Sequence, residues 1–225
     1  MSIHDGHRDR LRQQFARSGL DSFNDIQVLE LLLTYAIARK DVNPLAHALL
    51  AQFGSLSAVL DADPAVLQRV EGIGPSAALF LHLLPQLARR YDIDRSSNMK
   101  ILRTTADAGQ YLRPYFTGLH EECVYLLSLD AKCKVLDCRM VFRGSVNSVN
   151  ISIRKVVEIA LGCGATSVIL AHNHVSGVAL PSREDEQTTA QVAAALSAIG
   201  IKLADHLIIA DNDFVSMADS RLLHR

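Results

Sequence analysis

The chain has 225 residues, 49% of them hydrophobic and 21% charged, which is enough apolar material for one large core or two small ones and too much for a disordered chain. Its formal net charge of −1 gives no global pull toward nucleic acid. Every apolar stretch is broken by polar residues before the roughly 18 needed to span a bilayer, so no membrane partner is expected.

The opening segment Met1-Ser-Ile-His-Asp-Gly-His-Arg8 lacks the apolar run of a secretory signal. Cys123, Cys133, Cys138 and Cys163 have no Cys-x-x-Cys spacing and sit among apolar neighbours. They read as reduced, largely buried thiols of a cytoplasmic protein.

Up to about residue 91 the pattern is helical. Ile26, Leu29, Leu32 and Leu33 share one helix face, and Leu45, Leu49 and Leu50 share another, with Pro44 placed in a first turn. Asp61-Ala-Asp-Pro64 opens a short helix through Val66, Leu67 and Val70. Val70-Glu-Gly-Ile-Gly-Pro-Ser-Ala78 resembles the hairpin of a helix-hairpin-helix unit, in which Gly72 and Gly74 would turn backbone N–H groups toward a DNA phosphate. Two features weaken that reading. Ala77 and Ala78 stand where DNA-binding versions often carry Lys, and residues 1–99 hold 10 Lys and Arg against 11 Asp and Glu. Arg8, Arg10, Arg12 and Arg17 form the one basic cluster. The competing reading makes the glycines a tight turn between packed helices.

Tyr91-Asp-Ile-Asp-Arg-Ser-Ser-Asn98 is polar and reads as a linker, which divides the chain into a helical domain over 1–92 and a second domain over 101–225. In the second domain the spacing predicts a helix at 104–117, a strand at 123–129 and a hairpin partner at 133–142. A helix at 151–162, a strand at 166–172, a helix at 183–199 and strands at 201–209 and 213–217 follow. Such mixing points to an α/β sheet sandwiched by helices.

His172-Asn173-His174 closes the apolar run Thr166-Ser-Val-Ile-Leu-Ala171. Alternation along a strand puts residues i and i+2 on one face, so both imidazoles point the same way. Ten residues intervene before Asp185, which falls where a helix should begin. Ser182-x-x-Asp185 is a capping-box variant ahead of Val192, Ala195, Leu196 and Ile199, and a cap there fixes where the carboxylate points. Two imidazoles and a carboxylate are a zinc ligand set with the fourth position open, the pattern of a catalytic site. Other zinc signatures are missing: there is no His-Glu-x-x-His and no Pro-Cys-x-x-Cys. A metal-dependent TIM barrel would need about 250 residues on its own.

At these residues the chain resembles the RadC family, whose C-terminal domain has the JAMM (MPN-plus) metalloprotease fold. The family pattern His-Asn-His-Pro-Ser-Gly followed by Pro-Ser-x-x-Asp matches 172–185 except at Val175, where Pro is usual. Phe142-Arg-Gly-Ser-Val-Asn147, Asp205-His206-Leu-Ile-Ile209 and Phe214-Val-Ser216 match as well, and residues 1–91 resemble the helical N-terminal domain of many RadC proteins. The resemblance implies a small all-α domain followed by a JAMM-type, cytidine-deaminase-like mixed β-sheet sandwiched by helices. It further implies one Zn2+ per chain, held by His172, His174 and Asp185, and hydrolysis of an amide or isopeptide bond in a peptide or protein.

The general base of such enzymes is a Glu just before the first strand of the domain. Glu121 and Glu122 both precede it, and aligning Leu-Ser-Leu-Asp130 with the family pattern favours Glu122. The resemblance also makes Ser182 the donor to the oxyanion. The chain departs from many relatives at Ile153-Arg154-Lys155, where they carry Pro-Arg-Glu, and at Arg139-Met140, where an acid often precedes Phe-x-Gly. Neither segment supplies a ligand, so the departures bear on substrate preference. Asp205-His206 could support the metal site from a neighbouring strand, though a structural role at a strand entry is the plainer reading. The rival to a hydrolase is a DNA-associated accessory protein with a vestigial or structural zinc.

Overall fold

The computed structural model describes residues 3–38, 40–144, 151–211 and 213–223. The last three residues of the Phe142–Asn147 motif therefore lie outside the described residues. The chain divides into two compact units, 1–88 and 89–225.

The first unit is all helical: α1 (Ile3–Ser18), α2 (Asp25–Ala36), α3 (Asn43–Phe53), α4 (Leu56–Asp61), α5 (Pro64–Leu67) and most of α6 (Pro75–Ser96). Asn24 caps α2 in a reciprocal box with Gln27, and Pro44 stands in the first turn of α3. Leu29, Leu33, Leu45, Leu49, Val59, Leu67 and Leu81 form the core. Arg8 of α1 donates to Thr34 O and Ile37 O at the end of α2, and to Lys40 O in the loop that follows.

Gly72 sits at φ +93°, and a Cβ there would stand 2.8 Å from Leu45 Cδ2 and 3.0 Å from Lys40 Nζ. Both the backbone conformation and the close approach to α3 call for glycine. Gly74 is exposed, and its carbonyl accepts from Ala78 N to start α6.

The segment 91–98, expected to be a linker, instead largely continues α6 as far as Ser96. Its residues have mixed helix propensity, but none is Gly or Pro, and Arg95 lies over the Tyr91 ring at 5.8 Å, an i,i+4 pair.

In the second unit, α7 (Thr105–Leu112) ends in a 3-10 turn over Arg113–Tyr115, shorter than the helix expected because Pro114 cannot continue an α-helix. β1 (Glu122–Leu129), β2 (Val135–Gly144), α8 (Ile153–Gly162), β3 (Ser167–Asn173), α9 (Arg183–Ser197), β4 (Lys202–Ala210) and β5 (Asp213–Ser216) follow. The five strands form one sheet in the order β2-β1-β3-β4-β5. Only β3 and β4 pair in parallel, with α9 in the crossover between them, so the sheet is mixed.

Every residue of β1 is buried because both sheet faces are covered. Cys123, Tyr125, Leu127, Ile169, Ala171, Leu207 and Ile209 pack with Ala108, Tyr111 and Leu112 of α7. Val124, Leu126, Val168 and Leu170 pack with Val156 and Ala160 of α8 and Val192 and Leu196 of α9. This is the helix-sandwiched mixed sheet that the spacing and the resemblance led us to expect.

Candidate metal centre

The site grows out of that alternation. Val168 and Leu170 face α8 and α9, so His172 does too, and His174, one step past the end of β3, follows the same parity. The main chain is still held there, since His174 N donates to Ile209 O of β4 at 2.8 Å. Asp185 arrives from the first turn of α9. Ser182 is its N-cap, with Oγ accepting from Asp185 N at 3.1 Å while Asp185 Oδ2 accepts from Ser182 N at 2.7 Å. The capping box read from the sequence is present, and it aims the carboxylate at the two histidines.

His172 Nε2 lies 2.9 Å from His174 Nε2 and 3.1 Å from Asp185 Oδ1, and His174 Nε2 lies 3.4 Å from Asp185 Oδ2. A tetrahedral metal with nitrogen and oxygen ligands at about 2.0–2.1 Å would set them about 3.3–3.4 Å apart. Small adjustments bring all three atoms onto such a shell. His174 Nδ1 stands 3.0 Å from Val178 O, which can only accept, so that nitrogen carries the proton and Nε2 of the neutral ring offers a lone pair. Among the described residues this is the one group of three His, Cys, Asp or Glu side chains able to hold a metal ion.

The charges reinforce one another. Burial opposes ionisation of Asp185, but hydrogen bonds with His172 and His174 outweigh it and hold the carboxyl well below the usual range. The bond to Asp185 is the largest influence raising the pKa of His174, against burial, with smaller upward pushes from Val178 O, the Asp185 charge and the Glu122 charge.

The two candidate bases are in different situations. Glu121 is half exposed and its Oε2 accepts from Arg143 Nε at 3.0 Å. Glu122 is 8% exposed, opens β1, and shares parity with Val124, which pairs with His172. Its charge is felt at His174. The remaining acids stand apart: Glu158 pairs with Arg154, and Glu184 and Glu186 are exposed.

Two family models match the chain. The RadC-like JAB domain matches residues 102–222, more than half of the chain, and the UPF0758 N-terminal domain matches 5–79. The chain belongs to the RadC family. The JAB match brings with it the JAMM-type fold that holds such a His-His-Asp group, and this RadC-family chain presents all three residues at the end of β3 and the start of α9.

Of the Asp205-His206 pair read as possible support for the site, only the histidine plays that part, and Thr189 behind it was not read from the sequence. Asp205 reaches no imidazole: its carboxylate accepts from the main-chain N–H of His206 at 2.7 Å, from Ser216 Oγ at 2.6 Å and from Ala218 N at 3.0 Å, which fastens the turn after β5. His206 is the residue that touches the site, with Nε2 2.8 Å from His172 Nδ1 and Nδ1 2.6 Å from Thr189 Oγ1. That it lies on a strand was readable, but its place opposite Leu170 and its proximity to His172 depend on how β3 and β4 pair. Gly72 and Gly74 belong to the first unit, where the first meets a packing demand and the second begins α6. Among the described residues no helix is long and apolar enough to cross a membrane.

Proposed function

We propose that this RadC-family chain is a zinc-dependent metallohydrolase that cuts an amide or isopeptide bond in a peptide or protein. The observation that carries the reading is the convergence of His172 Nε2, His174 Nε2 and the Asp185 carboxylate, with Glu122 buried at the start of the strand that pairs with β3. Imidazole and carboxylate together suit zinc, and three protein ligands leave a position open for water or substrate. When bound, zinc supplies Lewis acidity and lowers the pKa of water to about 7.

The chain's own residues would do the rest. Glu122, set at the buried start of β1, takes the proton from the attacking water and returns it to the leaving amine. Ser182 Oγ lies within 2.7 Å of Asp185 Oδ2, at the edge of the ligand set, and its proton would turn from that carboxylate to the substrate's carbonyl oxygen as negative charge develops. The long loop between His174 and Ser182 would border the entering chain, with Val175, Val178 and Leu180 exposed along it.

Two measurements on the purified protein test the reading. Elemental analysis should find close to one zinc per chain, and His172→Ala or His174→Ala should lose most of it. The zinc-loaded protein should cleave members of a panel of peptide and isopeptide-linked substrates, stop with a chelator and recover with added zinc. Full zinc occupancy in the double alanine variant, or no cleavage across the panel by fully loaded protein, would overturn it.

A further inference from the structure

Three buried side chains form a line between the two elements that carry the metal ligands. His172 on β3, His206 on β4 and Thr189 on α9 are 3%, 1% and 2% exposed. His172 Nδ1 meets His206 Nε2 at 2.8 Å, His206 Nδ1 meets Thr189 Oγ1 at 2.6 Å, and Thr189 Oγ1 donates to the main-chain carbonyl of Asp185 at 2.5 Å. The line begins on one ligand and ends on the backbone of another.

We infer that Thr189 and His206 are positioning residues that impose the metal-binding tautomer on His172; this rests on the metal-site reading above. The direction of each proton follows from what each group can do. The Asp185 carbonyl can only accept, so the single hydroxyl proton of Thr189 is committed to it. The other acceptor near that hydroxyl is Met217 Sδ at 3.4 Å, longer and weaker, and it too would draw the proton away from the ring. Thr189 Oγ1 is therefore an acceptor toward His206, and His206 Nδ1 carries a hydrogen. A neutral imidazole has one N–H, so His206 Nε2 offers a lone pair and His172 Nδ1 must donate to it. That leaves the lone pair of His172 on Nε2, the nitrogen that faces His174 and Asp185.

Neutral His206 is what the surroundings favour. The ring is 1% exposed, and burial away from water disfavours the charged form of an imidazole. No carboxylate is hydrogen-bonded to it among the described residues, because Asp205 turns to Ser216 and Ala218. Partners on the far nitrogen of a ligand histidine fix its tautomer and orientation, and removing them typically costs about 10- to 100-fold in metal affinity. Here a hydroxyl two links from the metal does this work through a second histidine.

Thr189→Val keeps the shape and removes the acceptor, so His206 is free to place its proton on Nε2 and force the proton of His172 onto the metal-facing nitrogen. Thr189→Ser keeps the hydroxyl. Cobalt(II) is the probe, its affinity measured by chelator competition through its visible absorption, with the melting temperature of metal-free protein as control. Thr189→Val should bind cobalt about 10- to 100-fold more weakly, while Thr189→Ser stays at the wild-type value. Nitrogen-15 NMR of metal-free wild type in mildly alkaline buffer should show Nδ1–H on both His172 and His206, and Thr189→Val should lose that pattern.

Should Thr189→Val fail to fold, His206→Gln and His206→Leu replace it: the Gln amide can accept from His172 and donate to Thr189, and Leu can do neither. Wild-type affinity in Thr189→Val or His206→Leu, or a wild-type His206 protonated on Nε2, overturns the inference. Wild-type protein that binds neither cobalt nor zinc overturns the metal reading itself, a different result from tight wild-type binding that Thr189→Val leaves unchanged.

Discussion

Asn173 grips the main chain on both sides of Glu122. Its Oδ1 accepts from Cys123 N at 2.7 Å and its Nδ2 donates to Glu121 O at 3.0 Å. The flanking histidines point to the α8 and α9 face while Asn173 points to the other, so one tripeptide aims two ligands and anchors the start of β1. The side-chain amide takes the place of ladder bonds where β1 and β3 stop pairing after Val124 and His172.

Removing that grip should separate stability from metal binding. Asn173→Ala leaves the buried Cys123 N–H without its partner, a loss of about 1–3 kcal/mol. Urea titration should show it, while zinc content stays near wild type because neither histidine nor Asp185 is touched. Hydrolysis should fall as Glu122 loses its anchor. Loss of zinc with unchanged stability would show that Asn173 acts on the ligands instead.

The two adjacent acids give opposite expectations. Glu122→Gln keeps the size and removes the basicity, so zinc should remain while hydrolysis falls about 10²-fold or more. Glu121→Gln loses only an exposed, solvent-screened pair with Arg143, and turnover should hardly change. The reverse pattern would make Glu121 the base and put the alignment off by one.

DNA contact by the helical unit should be weak. Arg8 is engaged with the carbonyls of Thr34, Ile37 and Lys40, Arg12 lies over the Tyr35 ring, and Arg17 donates to Gln13 O. A titration with duplex DNA should find at most non-specific binding through the Gly72–Gly74 turn and the Arg8–Arg17 cluster, fading steeply as salt rises. Tight binding that survives high salt would favour the accessory-protein alternative.

What could be read from the sequence was what local chemistry dictates. The His-x-His parity, the Ser182–Asp185 box and the strand and helix periods all survive in the fold, because each depends on neighbours within one or two turns. The helical continuation through Asp92 and Asp94 was hidden, since a polar segment with mixed propensity reads the same in a linker and in an exposed helix. The partnership of His172 with His206 spans 34 residues and exists only because β3 pairs with β4 in parallel, one strand pair among many conceivable. Asn173 lay inside the most informative motif, yet its partner is the chain 50 residues earlier. Long-range pairs of this kind leave no periodic trace.

Ser182 holds two roles that substitutions can pull apart. Its Oγ accepts from Asp185 N as an N-cap and donates to Asp185 Oδ2, so in this arrangement its proton rests on the ligand carboxylate. Ser182→Ala loses the cap, about 1 kcal/mol, and should also lower turnover by about 10- to 1000-fold if the hydroxyl proton serves the oxyanion. Aspartate caps about as well as serine, so Ser182→Asp in the metal-loaded protein should melt near the wild-type temperature. It has no proton to give, however, and sets a second carboxylate where negative charge must develop. Metal-loaded Ser182→Asp should therefore be folded and inactive, as read by calorimetry and by cleavage of the same substrate. Turnover by that variant would leave Ser182 with the cap alone, and Asp185 would then be the only reason for its place at the head of α9.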